Sequence, residues 1–264
     1  MTILERIINH KKQELPGARE KKPVKVLEKS RYFSRDTLSL TESIVNPSKT
    51  GIIAEFKRKS PSRGILNDHA LIEEVTTGYF RSGASGLSIL TDLEFFGGTA
   101  EDLTRARQLN QVPILRKDFI IDEYQIVEAR AMGADAILLI AAALGIQQTR
   151  DLARFAESLN LQVLLEVHNA VELNHLNEFV SMVGVNNRDL DTFTVDTELS
   201  VQLAGEIPPG FVKISESGIS SPLVVKRLRA IGYQGFLIGE NFMNTPEPAA
   251  AFSDFVRQLM FEND

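Results

Sequence analysis

Several residue types are missing or rare in this chain of 264 residues, which has no cysteine, no tryptophan and only four histidines. The absence of cysteine excludes disulfides, thiolate catalysis and zinc sites with cysteine ligands. The histidines do not form a His-x-x-x-His pair, so the sequence gives no indication of a zinc site. We therefore expect no metal in this protein.

Long apolar runs and a concentrated basic surface are missing as well. No stretch approaches the ~20 apolar residues that a membrane-spanning helix needs, and residues 1–8 mix charges at helical spacing, unlike a signal peptide. The net charge is −6, and the 29 basic side chains are scattered along the chain, whereas a nucleic-acid binder concentrates them on one face. We expect a cytoplasmic enzyme with no nucleic-acid or membrane partner.

Short apolar runs alternate with amphipathic segments along most of the chain. Each interval between runs has room for a turn, a helix and a second turn, the repeating unit of a parallel sheet. Eight such units predict the α/β class and a closed (β/α)8 TIM barrel, with a doubly wound open sheet as the alternative. The predicted strands lie near residues 51–56, 86–91, 112–116, 136–140, 162–166, 182–186, 211–215 and 235–239.

Helix signals fall between these strands. Asp68 is a candidate N-cap, a second helix is predicted to begin at Asp122 and end at Gly133, and Pro222 lies in the first turn of a third predicted helix. Residues 1–48 precede the first strand and carry apolar residues at helical spacing. We expect them to form an N-terminal helical extension that packs on the barrel, with the barrel mouth as a candidate docking surface, within one domain spanning residues 1–264.

Charged side chains end several otherwise apolar strands, where they are costly unless they line a polar site. Glu55 and Lys57 end the first strand, Lys117 the third and Glu166 the fifth. Because active sites of this fold lie at the C-terminal ends of the strands, we expect one shared site for acid–base chemistry on an anionic substrate. We predict that Lys117 points inward, with its neighbours Arg116 and Asp118 as structural partners.

Polar residues also follow the sixth, seventh and eighth strands. Asn186 can bond a substrate hydroxyl, and Arg188 can bind a carboxylate through two parallel hydrogen bonds. The pairs Ser217-Gly218 and Gly239-Glu240 end the last two strands, where barrels often bind phosphate through backbone N–H groups. The Glu240 side chain would repel phosphate, so we expect only its backbone to contribute.

Each of these residues also has a structural interpretation. Lys57 could lie in a solvated turn, Lys117 in a rim salt bridge, and Glu166 could be tied to a backbone amide or a neighbouring lysine. The Asn186 segment could form an Asx-turn, and His168 could be a structural donor. Phe95 and Phe96 could stack on an aromatic substrate or plug the barrel end.

Five segments together resemble the motifs of the indole-3-glycerol-phosphate synthase family. They are residues 55–64, 116–126, 164–168, 185–190 and 215–219, and the resemblance runs from the N-terminal helix to about Met260. Members are carboxy-lyases of tryptophan biosynthesis that close the indole ring of 1-(2-carboxyphenylamino)-1-deoxyribulose 5-phosphate. The products are indole-3-glycerol phosphate, carbon dioxide and water. The resemblance implies this activity, a phosphorylated small-molecule substrate and no cofactor. We further expect a monomer or weak homodimer.

Two other functions fit the pattern less well. Phosphoribosylanthranilate isomerase, another phosphate-binding barrel enzyme, typically uses a cysteine with an aspartate, and this chain has no cysteine. A barrel that binds a metabolite without turnover would be expected to lack Lys117 or Glu166, and both are present.

The resemblance also implies roles for individual residues. Lys117 would protonate the substrate carbonyl oxygen, with its pKa lowered by the cationic neighbour Lys57, and Glu166 would remove the last ring proton. Glu55 and Asn186 would support this network. The implied catalytic set is Lys117, Glu166, Glu55, Lys57, Asn186 and Ser217. The implied substrate-binding set is Ser60, Pro61, Phe96, Phe119, Leu138, Arg188, Leu190, Gly218, Leu237, Ile238, Gly239 and Glu240.

Overall fold

Eight parallel strands close into a barrel in the computed structural model, which describes residues 1–261. Each strand pairs with the one before it in the sequence, and the last pairs with the first. The predicted fold class and all eight predicted strands are confirmed, with ends that differ by at most two residues. The strands are β1 (Ile52–Phe56), β2 (Gly86–Leu90), β3 (Ile114–Lys117), β4 (Ala136–Ile140), β5 (Gln162–Val167), β6 (Met182–Asn186), β7 (Val212–Glu216) and β8 (Gly235–Ile238).

Helices precede the barrel and cover its outside. Three come before β1, namely α1 (Ile3–Lys21), α2 (Val24–Leu27) and α3 (Leu40–Val45). The others are α4 (Ile72–Arg81), α5 (Leu93–Phe96), α6 (Ala100–Leu109), α7 (Glu123–Met132), α8 (Ile146–Ser158), α9 (Glu198–Leu203), α10 (Pro222–Ala230), α11 (Glu240–Met243) and α12 (Pro248–Phe261). Two 3₁₀ segments follow β4 and β5, at Ala141–Ala143 and Ala170–His175. None of the helices within residues 1–261 has the length and apolar character to cross a membrane.

The predicted helix starts are right in two cases and wrong in one. Asp122 caps α7 by accepting from the Tyr124 N–H, and Pro222 is the first residue of α10. Asp68 does not cap α4, which begins four residues later at Ile72. The segment before it is held in a bent, non-helical path because the Asn67 N–H donates to the Arg58 carbonyl and its side-chain amide to the Thr245 carbonyl, at 3.1 and 3.0 Å.

Helix α3 closes the N-terminal end of the barrel. Its Leu40 and Ile44 are buried in the interior apolar cluster with side chains from the strands. A side chain at Gly86, where β2 begins, would come within 2.5 Å of the Leu40 side chain, so this plug requires a glycine there. The backbone N–H of Leu40 also donates to the Gln162 side chain at the start of β5, at 2.6 Å.

Helix α1 lies at the opposite, C-terminal end, as expected for an extension at the mouth. Its Lys11 is only 5% exposed and places its ammonium 2.8 Å from Asp92 and 3.1 Å from Asp118, which follow β2 and β3. Burial opposes the charge of Asp118, but Lys11 and Arg116 lower the pKa of Asp118 to about 2. Arg116 and Asp118 are 3.0 Å apart, so the predicted structural pair is confirmed.

Candidate active site

Two adjoining cavities open at the C-terminal end of the barrel. The inner one holds about 120 Å³ and the outer one about 630 Å³. Every residue that the sequence placed in the catalytic and substrate-binding sets lines one or both cavities. Helix α1 adds Ile3, Leu4 and Ile7 to the wall of the inner cavity. The helical spacing of these residues was visible in the sequence, but their part in the site was not predicted.

Lys117 lies at the end of β3 among three carboxylates. Its Nζ is 3.0 Å from Glu166 Oε2 and 3.5 Å from Glu216 Oε2, and Glu55 is a further negative neighbour. Burial opposes the ammonium charge, but the three carboxylates outweigh burial and raise the pKa of Lys117 above its ordinary value. The expectation that Lys57 lowers this pKa is therefore wrong, because carboxylates surround Lys117 and Lys57 is paired elsewhere.

Glu166, at the end of β5, is held by three partners. Lys117 donates to one carboxylate oxygen, and the Asn186 amide donates to the other at 3.1 Å. His168 Nε2 lies 3.3 Å from that second oxygen. Burial disfavours the carboxylate, but these partners lower the pKa of Glu166 below its usual range. The site therefore contains an ionised carboxylate directly beside a charged lysine.

Glu216 is the site residue that the sequence-based sets missed. It ends β7, is 1% exposed, and its Oε1 is buried with no hydrogen-bond partner among residues 1–261. Room for its carboxyl comes from Gly184 on β6, where a Cβ would lie 2.1 Å from Oε1. Burial, with the charges of Glu166 and Glu55, raises the pKa of Glu216 to about 8 despite the opposing effect of Lys117. Glu216 thus takes up a proton at a higher pH than an ordinary glutamate.

Glu55 and Lys57 face the cavities together, as their spacing predicted. The Lys57 ammonium is 2.8 Å from Glu55 Oε1, and Ser88 donates to Oε2 at 3.2 Å. Burial raises the pKa of Glu55, but the charges of Lys57 and Lys117 lower it by more, so the pKa of Glu55 lies below its ordinary value. Gly239 leaves space for this carboxylate, since a Cβ there would lie 2.6 Å from Oε1 and 2.9 Å from the Glu55 Cβ.

The outer cavity carries the arginines. Arg188, after β6, is 2.8 Å from Glu240 Oε2, and Arg63 is 3.0 Å from Glu240 Oε1. Arg188 also donates to the Ser62 hydroxyl at 3.3 Å. The Glu240 side chain thus lines the cavity between two guanidinium groups, which offset its charge. The expectation that only its backbone would contribute overlooked this pairing.

The turn after β7 has an unusual backbone. Ser217 and Gly218 both have positive φ angles, 65° and 74°, a conformation that is costly for serine. Asn187 stabilises the turn because its side-chain amide donates to the carbonyl oxygens of Glu216 and Ser217, each at 3.0 Å. A Cβ at Gly218 would lie 2.6 Å from the Val195 side chain, so glycine is needed there for both reasons.

An apolar wall closes the inner cavity opposite the charged groups. The rings of Phe96 and Phe119 have centroids 5.9 Å apart and an interplanar angle of 35°. Leu138 and Leu190 line the same cavity. Phe95 packs edge-on against His10 of α1 instead, so the two adjacent phenylalanines divide between the cavity and the support of the N-terminal helix.

Comparison with known proteins identifies the family to which this site belongs. A sequence model of indole-3-glycerol phosphate synthase matches residues 4–255. The chain belongs to the indole-3-glycerol phosphate synthase family. An indole-3-glycerol phosphate synthase of Bacteroides thetaiotaomicron is 48% identical over 257 residues, which cover 97% of this chain and 98% of that protein. One from Polaromonas naphthalenivorans is 41% identical over 256 residues, covering 96% and 97%.

Solved structures with low sequence identity show the fold alone. A mutant tryptophan synthase alpha-subunit from Pyrococcus furiosus aligns with a TM-score of 0.60 at 14% identity, over 80% of this chain and 98% of that chain. The 3-hexulose-6-phosphate synthase from Salmonella typhimurium aligns with a TM-score of 0.58 at 12% identity, over 79% and 98%.

Membership of the indole-3-glycerol phosphate synthase family fixes the class of chemistry. The chain is a carboxy-lyase of tryptophan biosynthesis that acts on a phosphorylated small molecule. The isomerase alternative is not supported, because the family model and both relatives name the synthase. The residues that perform each step are a separate question, which the geometry of the two cavities addresses.

Proposed function

We propose that Lys117 is the general acid and Glu166 the general base in the conversion of 1-(2-carboxyphenylamino)-1-deoxyribulose 5-phosphate to indole-3-glycerol phosphate. The single observation that carries this assignment is the buried 3.0 Å contact between the two side chains. The reaction needs a proton delivered to oxygen and another removed from carbon. An ammonium and an ionised carboxylate, side by side in the inner cavity, supply both.

The proposed sequence begins with ring closure. The ring carbon that bears the carboxylate attacks the carbonyl carbon, and Lys117 gives its proton to the carbonyl oxygen as the new carbon–carbon bond forms. Cleavage of the carboxylate bond then releases carbon dioxide and returns the bond electrons to the six-membered ring. Finally the new hydroxyl takes a proton from solvent and leaves as water with the electrons of its carbon–oxygen bond, and Glu166 removes a proton from the adjacent ring carbon to make the second ring aromatic.

Other residues are proposed to support these steps. Glu55 and Asn186 hold the charged groups and the substrate hydroxyls in place, and Ser217 bonds the reacting region. Asn186 is supported in this role by its 3.1 Å bond to Glu166, and Glu55 by its 2.8 Å contact with Lys57. Fixing reactants and catalytic groups in this way can contribute several kcal/mol, roughly 7–11 in favourable cases.

The two cavities are proposed to bind chemically different parts of the substrate. We propose that the aromatic ring occupies the inner cavity against Phe96, Phe119, Leu138 and Leu190, and that Arg188 meets the carboxylate. The phosphate occupies the outer cavity, bound by Lys57 and backbone N–H groups. The residues proposed to complete this outer region are Gly218, Leu237, Ile238, Gly239 and Glu240. Ser60 and Pro61 line the inner cavity and are proposed to bind the substrate from that side.

We also propose that residues 1–264 act as one domain, in the cytoplasm, as a monomer or weak homodimer. The contact of Lys11 in α1 with Asp92 and Asp118 on the barrel supports a single cooperative unit. One calorimetric unfolding transition, together with sedimentation velocity across a range of concentrations, checks both statements. Two separate transitions or a stable larger assembly would contradict them.

Turnover of the purified chain tests the proposed mechanism directly. Indole-3-glycerol phosphate is followed by its fluorescence, and carbon dioxide by trapping, after addition of the carboxyphenylamino-deoxyribulose phosphate. We expect equal amounts of both products and no requirement for added metal. A folded wild-type chain that forms no indole would remove the proposal as a whole, whereas substitutions of Lys117 and Glu166 test the assignment of roles.

A further inference from the structure

His168 lies directly after β5, buried between two carboxylates on different segments. Its Nε2 is 3.3 Å from Glu166 Oε1, and its Nδ1 is 3.3 Å from Glu172 Oε2 in the 3₁₀ segment that follows. Nε2 is buried and makes no hydrogen bond within the described part of the chain. The imidazole therefore faces the proposed base at the distance of a charge contact.

The outer carboxylate is fixed before it meets the imidazole. Glu172 Oε2 accepts from the His168 backbone N–H at 2.7 Å, and Oε1 accepts from the Asn169 amide at 2.8 Å. Asn169 in turn caps the 3₁₀ segment by accepting from the Glu172 N–H at 3.1 Å. Asn169, Glu172, His168 and Glu166 thus form a chain of contacts that runs from a helix cap to the proposed base.

Charges around His168 keep it protonated. Burial alone would lower its pKa, but Glu166 and Glu172 raise the pKa of His168 to about 10. Glu216 and Asp189 also interact with its charge, and Lys117 is the other cation beside Glu166. Glu166 therefore lies between two cations at neutral pH.

We propose that His168 is the positioning residue for the base, holding the Glu166 carboxylate in place and ionised after Lys117 has given its proton to the substrate. This inference rests on the roles proposed above for Lys117 and Glu166. A neutral Lys117 no longer offsets the buried charge of Glu166, so a second cation is needed if the carboxylate is to stay ionised for the final proton removal. The arrangement of a base oriented by a neighbour that is itself held by a carboxylate is a general device of acid–base sites.

Two substitutions distinguish the two effects of His168 on Glu166, its contact with the carboxylate and its positive charge. His168→Leu removes both the contact and the charge. We expect kcat to fall by up to about 100-fold, the range for a misplaced catalytic group, with KM within about threefold. The acidic limb of the kcat profile moves to higher pH, since loss of a cation raises the pKa of Glu166 and a base must be ionised to act. His168→Gln keeps an N–H donor without charge, so we expect part of kcat to return while the limb stays shifted.

The matched control is His175→Gln at the end of the same 3₁₀ segment. Its ring bonds the Thr149 hydroxyl at 2.9 Å, away from Glu166, and we expect kcat and the pH profile to stay at wild-type values. A folded His168→Leu variant with wild-type kcat and an unmoved acidic limb overturns the proposal. If that variant does not fold, the acidic limb of the kcat profile is measured in Glu172→Gln instead. This substitution removes the carboxylate that holds the His168 imidazole and leaves His168 and Glu166 in the chain. An unmoved acidic limb there overturns the proposal.

A titration that does not depend on turnover distinguishes this inference from the proposed mechanism. The imidazole of His168 is followed by NMR in the wild type and in Glu166→Gln. Because coupling between two titrating groups is reciprocal, we expect the pKa of His168 to fall in that variant. An unchanged titration would overturn the coupling of His168 to Glu166, whereas a Glu166→Gln enzyme with full kcat would instead remove the proposed role of Glu166.

Discussion

Lys117 and Glu166 form an ion pair across the barrel mouth, with Nζ and Oε2 3.0 Å apart. Each is therefore a large part of the other's electrostatic environment, and removal of one changes the protonation of the other. The substrate must enter between them before the ammonium can reach the carbonyl oxygen. A single substitution of Lys117 or Glu166 therefore affects both side chains, and a second observable besides loss of turnover is needed to assign a role to either one.

Replacement of Lys117 by alanine removes the proposed acid. We expect kcat to fall by about 100-fold or more, since general acid catalysis typically contributes 10²–10⁴-fold. The measurement is indole fluorescence at saturating substrate, with circular dichroism to establish folding. Lys25→Ala, at an exposed position in α2, is the matched control and should be unchanged. Undiminished turnover in a folded Lys117→Ala variant would move the acid role elsewhere.

Replacement of Glu166 by glutamine should separate the early steps from the late ones. Ring closure and decarboxylation precede the proposed proton removal, so a first turnover should release carbon dioxide faster than indole forms. We expect steady-state kcat to fall by about 100-fold or more. Rapid-quench analysis of both products within one turnover makes the test. If carbon dioxide and indole are delayed equally, Glu166 acts before or during decarboxylation.

Glu216 predicts an alkaline limb in the activity profile. Its pKa is raised to about 8, so above that pH it ionises and adds a negative charge 3.5 Å from Lys117. The ammonium then holds its proton more tightly and becomes a weaker acid. We expect kcat/KM to fall as the pH rises through that pKa and to level off at a lower value. Glu216→Gln stays uncharged at every pH and should lose this limb; a limb that persists in the variant belongs to another group.

Gly239→Ala should displace the Glu55 carboxylate. The added Cβ would meet Glu55 Oε1 at 2.6 Å, so the carboxylate must shift away from Lys57. A displacement of about 1 Å can cost up to ~100-fold in rate, and we expect the loss mainly in kcat. Gly205→Ala is the control, because nothing lies within 4 Å of its added Cβ. Equal kinetics for the two variants would show that the Glu55 carboxylate can shift without loss of activity.

Lys11→Met should destabilise the protein in a pH-dependent way. It removes the ammonium that contacts Asp92 and Asp118 and leaves Arg116 beside Asp118, and breaking a buried pair in this manner costs about 3–5 kcal/mol. Lowering of the pKa of Asp118 to about 2 contributes stability above its ordinary pKa that is lost as the pH falls through about 2. Urea unfolding should therefore show the largest difference from wild type near neutral pH and a smaller one below pH 4. Lys12→Met, exposed on the same helix, should change little; equal stability of the Lys11 variant at neutral pH would contradict the role of the contact.

The fold and most of the site could be predicted because both follow local rules. Runs of apolar residues at regular intervals determine a barrel, and a charged residue at the end of such a run has to face the mouth. The same rule applies to Glu216, but its serine neighbours drew attention to phosphate binding instead. Its protonation depends on Lys117, Glu166 and Glu55, which are distant in the sequence, so no local pattern could have given it.

Other features depend on contacts that only the folded chain contains. Lys11 is one of several charged residues on α1, and nothing nearby in the sequence marks it as buried. Its partners lie in loops after β2 and β3. The direction of the Lys117 pKa was predicted wrongly for the same reason, since neighbours in the sequence suggested a cation and neighbours in space are carboxylates. Asp68 shows that a good capping residue is not used when tertiary bonds hold the chain in a non-helical path.

The contact of α1 with the barrel has a consequence for the order in which the protein is made. Asp118, one of the contact partners of Lys11, is added to the growing chain 118 − 11 = 107 residues after it. At the usual 5–20 residues per second, this is a delay of about 5–20 s. The helix that completes the wall of the inner cavity therefore cannot make this contact until the third strand and the loop after it have been synthesised.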